Sequence, residues 1–274
     1  MGHNAHRMQL IFVISLFLSM TAPVHAISFS FAPMNFNIQA KPGQIVNQTF
    51  TLTLAKDMRP TQFKAHIEDW WRSADNNQTF FAAPGTLRKS CGTWCAINPT
   101  EALVQPGDTL AVKLSIRVPA DAEPGGYWAA LTVDEIPDPL APKPSGVSIS
   151  FKASLSVGIN VEVPTATLSA KLKGVRIGEN RAFVTVCNEG NTPVRVSGTI
   201  EFYKHGEEKP TATIQLSNQP LLPEPINTVE FSAPLPSAND LPSGKYKVRA
   251  IIDAGLDYLM GLEKELQIVR SDDK

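Results

Sequence analysis

The stretch that most constrains the fold runs from Val147 to Val163, with apolar residues at every odd position and small or polar residues at every even one. A period of two is typical of a β-strand with one face on a core. At about 3.3 Å per residue the run would reach roughly 56 Å, whereas strands usually have about 5 or 6 residues. One sandwich edge cannot cover all of it, so something else must cover part of this strand.

The same period of two recurs along the rest of the chain, with turn residues between the runs. Between Leu110 and Val118, apolar side chains alternate with Lys113, Ser115 and Arg117. One face of each such run is expected on a core and the other in water. Prolines lie between the runs, as the hydrogen-bonded ladder of a sheet requires. The pattern predicts an all-β chain.

A short pattern that occurs twice indicates two domains. A Gly-x-Tyr or Gly-Tyr sequence follows a proline turn in Pro124–Tyr127 and again in Pro242–Tyr246. In immunoglobulin-like sandwiches, a tyrosine at this place often ties the preceding corner to the strand through its hydroxyl. We therefore predict two tandem immunoglobulin-like β-sandwich domains, at 27–163 and 164–274, the second with a short polar tail.

The first 26 residues are interpreted as a cleaved signal peptide. Arg7 precedes an apolar run from Met8 to Met20, and small residues lead to Ala26. This order of a basic start, an apolar stretch and a small-residue cleavage site is typical of export; a buried core helix is the alternative. The run is shorter than the roughly 20 residues that span a bilayer. We expect a periplasmic or extracellular protein with no membrane insertion after cleavage.

Charge and histidine content exclude several function classes. The formal net charge is -1, and no basic stripe is present to bind nucleic acid or an anionic membrane. After cleavage only His66 and His205 remain, too few for a three-histidine metal site. The sequence also shows no phosphate-cradling glycine loop, serine elbow or Asp-rich calcium loop. It predicts a protein that is not an enzyme, with no catalytic residue, metal or cofactor.

Two of the three cysteines lie close together. Cys91 and Cys95 are separated only by Gly92–Trp94, and exported proteins meet an oxidising compartment. We expect a structural disulfide; a redox pair is the alternative, although that chemistry favours two intervening residues. Cys187 ends an apolar run and is expected to be a buried thiol, with an intermolecular disulfide as its alternative.

Several features follow one another in a fixed order along the first predicted domain: an N-terminal strand with Pro33, Val118-Pro119, Tyr127-Trp128, Asp134-Glu135-Ile136-Pro137, a proline-rich loop, and a long alternating strand that ends at Val163-Pro164. In this order and pattern the chain resembles the periplasmic PapD-like pilus-assembly chaperones. The resemblance implies two immunoglobulin-like domains arranged in an L. It also implies that the long last strand of domain 1 completes the unfinished fold of a subunit.

By the same resemblance, the donor side chains would be Val147, Ile149, Phe151 and Ala153. The family holds the subunit's terminal carboxylate with an Arg soon after the early proline and a Lys near the end of the strand. In this chain those places hold Met34 and either Gly158 or Ile159, while Lys152 lies midway along the strand on its polar face. The resemblance therefore implies strand donation without the basic pair, and we count Lys152 with the four donor residues among the predicted partner-binding residues.

A second set of motifs consists of Lys41-Pro42-Gly43-Gln44 before a strand, Trp94 before Pro99, and Val118-Pro119 before Pro124–Tyr127. These motifs are similar to those of bacterial surface proteins whose first domain is WxL-interacting. Those proteins usually end in a membrane helix, which this sequence does not show.

Two features each have two interpretations. The apolar face of the long strand either fills the core of domain 1, or it lies on an exposed edge that adds to a partner sheet. Trp70 is expected on the polar face of its strand, where it would stack on a sugar or anchor a protein interface; packing against a neighbouring loop is the alternative. Trp71 is expected on the core face.

The sequence thus supports two hypotheses about function. The first is a non-enzymatic periplasmic chaperone-like protein that assists assembly of pilus or surface subunits by β-strand pairing along the edge of domain 1. The second is an envelope or cell-surface adhesion module that binds protein or cell-wall glycan. The partner is a secreted or surface subunit in the first hypothesis and protein or glycan in the second.

Overall fold

The structure is a computed structural model, and it describes residues 29–136 and 153–270. The predicted signal peptide (1–26) lies outside the described residues, and so do four of the predicted partner-binding residues, namely Val147, Ile149, Phe151 and Lys152. The described part is all-β, which confirms the predicted fold class. Its one helical element is a single 3-10 turn at Gly92–Trp94. No helix within it is long and apolar enough to cross a membrane.

Ten strands form the first unit: β1 (Phe29–Ala32), β2 (Asn35–Gln39), β3 (Ile45–Leu54), β4 (Thr61–Arg72), β5 (Thr79–Ala82), β6 (Cys95–Asn98), β7 (Glu101–Val104), β8 (Thr109–Arg117), β9 (Gly125–Ile136) and β10 (Ser154–Val163). One sheet has the order β1-β3-β8-β6. The other has the order β2-β10-β9-β4-β5, and β7 also pairs with β4. Apolar side chains from both sheets enclose one core, which includes Phe50, Phe63 and Ile159.

The N-terminal segment of the first unit crosses from one sheet to the other. β1 pairs antiparallel with β3, and after Pro33 and Met34 the chain continues as β2, which pairs parallel with β10. Because side chains alternate along β2, Phe36 and Ile38 point into the core. The exposed residues Asn35 and Asn37 lie on the opposite face.

Seven strands form the second unit: β11 (Ala170–Ile177), β12 (Arg181–Asn188), β13 (Val194–Tyr203), β14 (Ala212–Leu221), β15 (Thr228–Pro234), β16 (Gly244–Asp253) and β17 (Met260–Ile268). Their sheets have the orders β11-β12-β15 and β14-β13-β16-β17. A second core lies between them and includes Phe202, Phe231 and Val248. The exact domain boundaries, 27–163 and 164–274, stay a prediction.

The two tyrosines predicted to tie corners do so. The hydroxyl of Tyr127 donates to the carbonyl of Glu123 at 3.0 Å, and that of Tyr246 donates to the carbonyl of Pro242 at 3.0 Å. Each tyrosine is buried and reaches back four residues. The repeated pattern in the sequence therefore corresponds to the same local device in each unit.

The two units meet at the start of β9. The amide of Gly126 donates to the carbonyl of Asn191 at 2.9 Å. A Cβ on Gly126 would collide with Thr192 and Pro193 of the second unit, so only glycine allows this approach. The approach places the start of β9 directly against the loop between β12 and β13.

A charged contact reinforces this junction. Glu224 of the second unit accepts from Arg88 Nη2 at 2.6 Å and from the backbone amide of Lys89 at 3.0 Å. Lys89 is almost fully buried, with its Nζ 4.5 Å from the centre of the Tyr127 ring. Burial, followed by the charge of Arg88, lowers the pKa of Lys89 below its ordinary value.

Candidate functional site

The two ends of β10 have different neighbours. From Gly158 to Glu162 the strand pairs with β2 on one side and with β9 on the other. From Ser154 to Val157 only the pairing with β9 continues. The register with β2 starts at Gly158, so within the described residues β10 has an open edge at Ser154–Val157. We call this segment, together with Ala153, the open edge.

Backbone hydrogen bonds show which groups line the open edge. The amide of Gly158 donates to the carbonyl of Met34 at 3.3 Å, on the β2 side. The carbonyl of Ala153 accepts from the amide of Glu135 at 3.0 Å, on the β9 side. Main-chain groups of successive residues alternate between the two sides of a strand. The N–H and C=O groups of Ser154 and Ser156 therefore point toward the open side.

The alternating side chains of β10 change environment along its length. Val157, Ile159, Val161 and Val163 are all at most 1% exposed and belong to the core. Leu155, on the same face, is 36% exposed. The interpretation that the apolar face fills the core of the first unit therefore holds from Val157 to Val163. At Leu155 the face projects beyond that core.

The predicted residue Ala153 lies half-buried at the start of the open edge. Met34, which stands where the resembled family has its first basic residue, is 51% exposed and lies just before β2. Leu155 and Met34 are thus two exposed apolar side chains, with Leu155 three residues before the pairing with β2 begins and Met34 directly before β2. Leu155 was not among the predicted site residues, although it continues the odd-numbered pattern that suggested Ala153.

Trp70 lies elsewhere, on β4, which is separated from β10 by β9. It is half-buried, and its carbonyl accepts from the indole N–H of Trp128 at 3.0 Å. In the register of the β4–β5 hairpin it lies opposite Phe81, which is 47% exposed. The structure therefore does not bring Trp70 together with the open edge. Its binding role stays a prediction.

The predicted core position of Trp71 is wrong. Its ring stacks on Phe80 across the β4–β5 hairpin, with centroids 5.4 Å apart, and it is not among the side chains packed on the first core. Asp69, two residues earlier on the same face, is fully buried and accepts from the amide of Leu87 at 2.8 Å and from the hydroxyl of Ser90. The face turns polar at Asp69, and Trp71 lies beyond it in the hairpin.

Cys91 and Cys95 are free thiols in the structure, so the predicted disulfide is not present in it and stays a prediction. The sulfur of Cys95 lies 3.2 Å from the carbonyl oxygen of Cys91. Cys91 is fully buried, with its sulfur 3.9 Å from the carbonyl oxygen of Ile159 in β10. Burial and the neighbouring Cys95 raise the pKa of the Cys91 thiol well above its ordinary value. Cys187 is buried, as predicted.

A cleft of about 500 Å³ lies between the outer face of β2 and β10 and the strands β13 and β14. Asn37 and Asn160 pair across the two strands, with Asn160 Nδ2 donating to Asn37 Oδ1 at 3.0 Å. Gln39 and Glu162 form the next pair, at 3.4 Å. The exposed side chain of Arg195 lines the opposite wall. None of these residues was singled out from the sequence, because only the fold brings 35–39 beside 158–162.

In the part of the chain that the structure describes, no group of three His, Cys, Asp or Glu side chains is placed to hold a metal ion. The polar outer face near the open edge is instead linked by hydrogen bonds. Thr132 Oγ1 lies 3.0 Å from Ser156 Oγ and donates to Glu68 at 2.8 Å. These bonds order the face of the sheet that lies opposite Leu155.

No family model matches the chain, and no curated protein matches it. Among solved structures, the chain is similar to a chain from a chaperone–tip adhesin complex of CFA/I fimbriae, with 13% identity, 88% of this chain and 99% of that chain covered, and a TM-score of 0.48. It is also similar to the E. coli chaperone DraB, with 14% identity, 88% and 98% covered, and a TM-score of 0.43. A third is a chain from the Salmonella enterica complex of the SafA pilin with the SafB chaperone, with 10% identity, 87% and 97% covered, and a TM-score of 0.46. All three structures contain a chaperone, the class of protein that the sequence resembles.

Proposed function

We propose that the protein is an exported, non-enzymatic assembly chaperone that binds a secreted pilus or surface subunit by β-strand pairing along the open edge of β10. The observation that carries this proposal is the loss of one neighbour at Val157, where pairing with β2 ends while pairing with β9 continues. Ser154 and Ser156 there direct main-chain donors and acceptors to the side on which no described strand pairs with β10. Added strands obtain affinity from such groups and specificity from alternate side chains.

The side chains on this edge fit the same function. Leu155 continues the core face of β10 but is exposed, and Met34, directly before β2, is exposed as well. An exposed strand edge with apolar side chains promotes aggregation unless another chain covers it. In sequence, the odd-numbered residues Val147, Ile149, Phe151 and Ala153 continue the pattern of Leu155, so we propose them, with Leu155, as the side chains that fill a subunit's groove.

This proposal is tested by capture of a co-expressed surface subunit. The double variant Ile149→Asp/Phe151→Asp is expected to abolish capture, because two carboxylates would have to enter an apolar groove. Leu155→Lys is expected to weaken capture for the same reason. Ser154→Lys is the matched control, because it places the same charge one residue earlier, on the other face of the same strand. Ser154 pairs with Asp134 of β9 in the register. The Ser154→Lys variant should keep capture.

The fold of each variant is checked by its circular dichroism spectrum and its unfolding midpoint. Undiminished capture by a folded double variant would rule out strand donation by this edge. Equal loss in Leu155→Lys and Ser154→Lys would show that charge alone, rather than the apolar face, decides capture.

A second candidate function is adhesion, and one observation favours it. The β4–β5 hairpin exposes Phe80 and Phe81 beside Trp70 and Trp71. Exposed aromatic side chains are typical anchors of protein and sugar binding. Under this function, Trp70→Ala and Phe81→Ala weaken retention on isolated envelope material, whereas Leu155→Lys does not. Unchanged retention in both aromatic variants would exclude the hairpin as the adhesive surface.

A further inference from the structure

Lys89 and Asn191 come together at the junction between the two units. Lys89 lies in the segment whose backbone bonds to Trp128 of β9, and Asn191 lies in the loop between β12 and β13. The carbonyl oxygen of Pro124 accepts from Lys89 Nζ at 3.3 Å and from Asn191 Nδ2 at 3.3 Å. The amine of one unit and the carboxamide of the other therefore bind the same oxygen atom.

Gly125 leaves space beside these two side chains. Its φ is +131°, a conformation that favours glycine. A Cβ added there would lie 3.1 Å from Asn191 Cγ and 3.2 Å from Lys89 Nζ. Both atoms therefore border the same small space, which a larger residue at position 125 would fill.

The amine of Lys89 has the environment of a nucleophile. Its side chain is 5% exposed, and its Nζ donates to the hydroxyl of Tyr127 at 3.4 Å as well as to Pro124. Burial, followed by the charge of Arg88, lowers the pKa of Lys89 and so increases the fraction of neutral amine, the form that attacks a carbonyl carbon. Glu123 Oε2 lies 3.9 Å from Nζ on a side chain that is 73% exposed, where it can accept a proton.

The carboxamide of Asn191 is held in place as the corresponding electrophile. Its Oδ1 accepts from the backbone N–H of Thr167 at 2.7 Å. Its main chain is fixed as well, because its N–H donates to the carbonyl of Thr167 at 3.1 Å and its carbonyl accepts from Gly126 at 2.9 Å. A backbone N–H aimed at a carbonyl oxygen stabilises the negative charge that forms there when a nucleophile adds to the carbon. The N–H of Thr167 therefore has the position of an oxyanion-hole donor.

We propose that Lys89 and Asn191 form an isopeptide bond, which joins the two units covalently. Lys89 Nζ adds to Asn191 Cγ, and the N–H of Thr167 stabilises the charge that develops on Oδ1. Glu123 accepts a proton from Nζ and donates it to Nδ2. The bond between Cγ and Nδ2 then breaks, ammonia leaves, and an amide between Nζ and Cγ remains. One amide replaces another, so the step is not a redox reaction, and it does not depend on the proposed function.

The test is the intact mass of the purified mature protein, measured after reduction of any disulfide. The isopeptide bond should make the protein lighter than its sequence by one ammonia molecule. Proteolysis should then release one branched peptide that contains both Lys89 and Asn191. A mass equal to that of the sequence would overturn the proposal, and this measurement needs no variant that could fail to fold.

Variants identify the two side chains that react. Lys89→Arg keeps the positive charge but has no primary amine, and Asn191→Ala has no carboxamide, so both should have the mass of their sequences. The matched controls are Lys113→Arg on β8 and Asn218→Ala on β14, both at exposed positions, and both should still lose ammonia. Loss of ammonia from Lys89→Arg or Asn191→Ala would assign the change to another site, such as a succinimide, and would overturn the proposal.

The role of Glu123 is tested by the rate at which the bond forms. Samples taken at intervals during cell-free synthesis show by intact mass what fraction has lost ammonia. Glu123→Gln should slow this loss about a hundredfold, since the proton transfer then lacks its carboxylate. An unchanged rate would overturn the transfer through Glu123. On a reducing, denaturing gel the bonded protein should also migrate further than Lys89→Arg, because the bond keeps the unfolded chain more compact, and equal migration would contradict a covalent link between the units.

Discussion

One end of β10 is enclosed and the other is open, although both have the same alternating sequence. From Gly158 to Glu162 the strand lies between β2 and β9, and its apolar side chains are fully buried. At Ser154–Val157 its one neighbour among the described residues is β9, and Leu155 is exposed. Alternation determines which face is apolar, whereas the neighbouring strands determine whether that face is available. The enclosed end holds the fold together, and the open end is the part that a partner can reach.

The largest expected effect is a difference in the free energy of unfolding when the same charge is placed at each end of β10. Ile159→Asp buries an unpaired carboxylate in the first core and should lower the free energy of unfolding by about 4 kcal/mol or more. Leu155→Asp should lower it by less than about 1 kcal/mol, because the side chain stays in contact with water. Urea unfolding of both variants measures the difference. Similar losses would mean that the open end is as enclosed as the other.

The next effect tests what holds the enclosed end against the second unit. Gly126 pairs with Glu162 in the β9–β10 register and touches Thr192. Gly126→Ala should cost about 2 kcal/mol, because the methyl group has no room. Gly261→Ala, on β17 where an added Cβ would meet nothing within 4 Å, should cost no more than about 0.5 kcal/mol. Equal unfolding midpoints for the two variants would contradict the close contact between the units.

A smaller effect concerns the reactivity of Cys91, whose thiol lies against Ile159 in the enclosed end of β10. Cys91 is buried against Ile159 and its pKa is raised, so at neutral pH it presents little thiolate. In the reduced, folded protein, iodoacetamide should modify the partly exposed Cys95 at least about tenfold faster than Cys91. Peptide mass spectrometry at intervals measures both rates, and the exported protein analysed without reductant tests the predicted disulfide. Equal rates would show that the enclosed end opens readily.

The parts of this fold that sequence predicts are those that depend on a local period. The run to Val163 identified a strand and its core face, and the two tyrosines identified the same corner in each unit. The sequence alone does not reveal that β10 pairs with β2 only from Gly158 onward, because this pairing joins residues more than a hundred positions apart. The hydrogen bond between Asn37 and Asn160 could not be predicted from the sequence for the same reason.

Aromatic residues were harder to place than aliphatic ones. Trp70 and Trp71 follow an alternating run, so the pattern assigned Trp71 to the core, but β4 leaves β9 after Glu68 and pairs with β5 instead. Trp128, on the outer face of β9, is fully buried, and its indole N–H bonds to the carbonyl of Trp70. The segment around Lys89–Cys91 lies against Trp128 through backbone hydrogen bonds. The alternation of apolar and polar residues cannot predict which outer-face side chains become buried under a loop that is distant in sequence.

The measurement that tests the central claim most directly is amide hydrogen exchange along β10, in the free protein and in complex with its co-expressed subunit. The amides of Ser154 and Ser156 point to the open side and should exchange rapidly in the free protein. Gly158 and Asn160, whose amides face β2, should exchange slowly in both states. Binding should slow Ser154 and Ser156 specifically. Slow exchange of these two amides before binding, or unchanged rapid exchange after it, would contradict an open edge that pairs with the subunit.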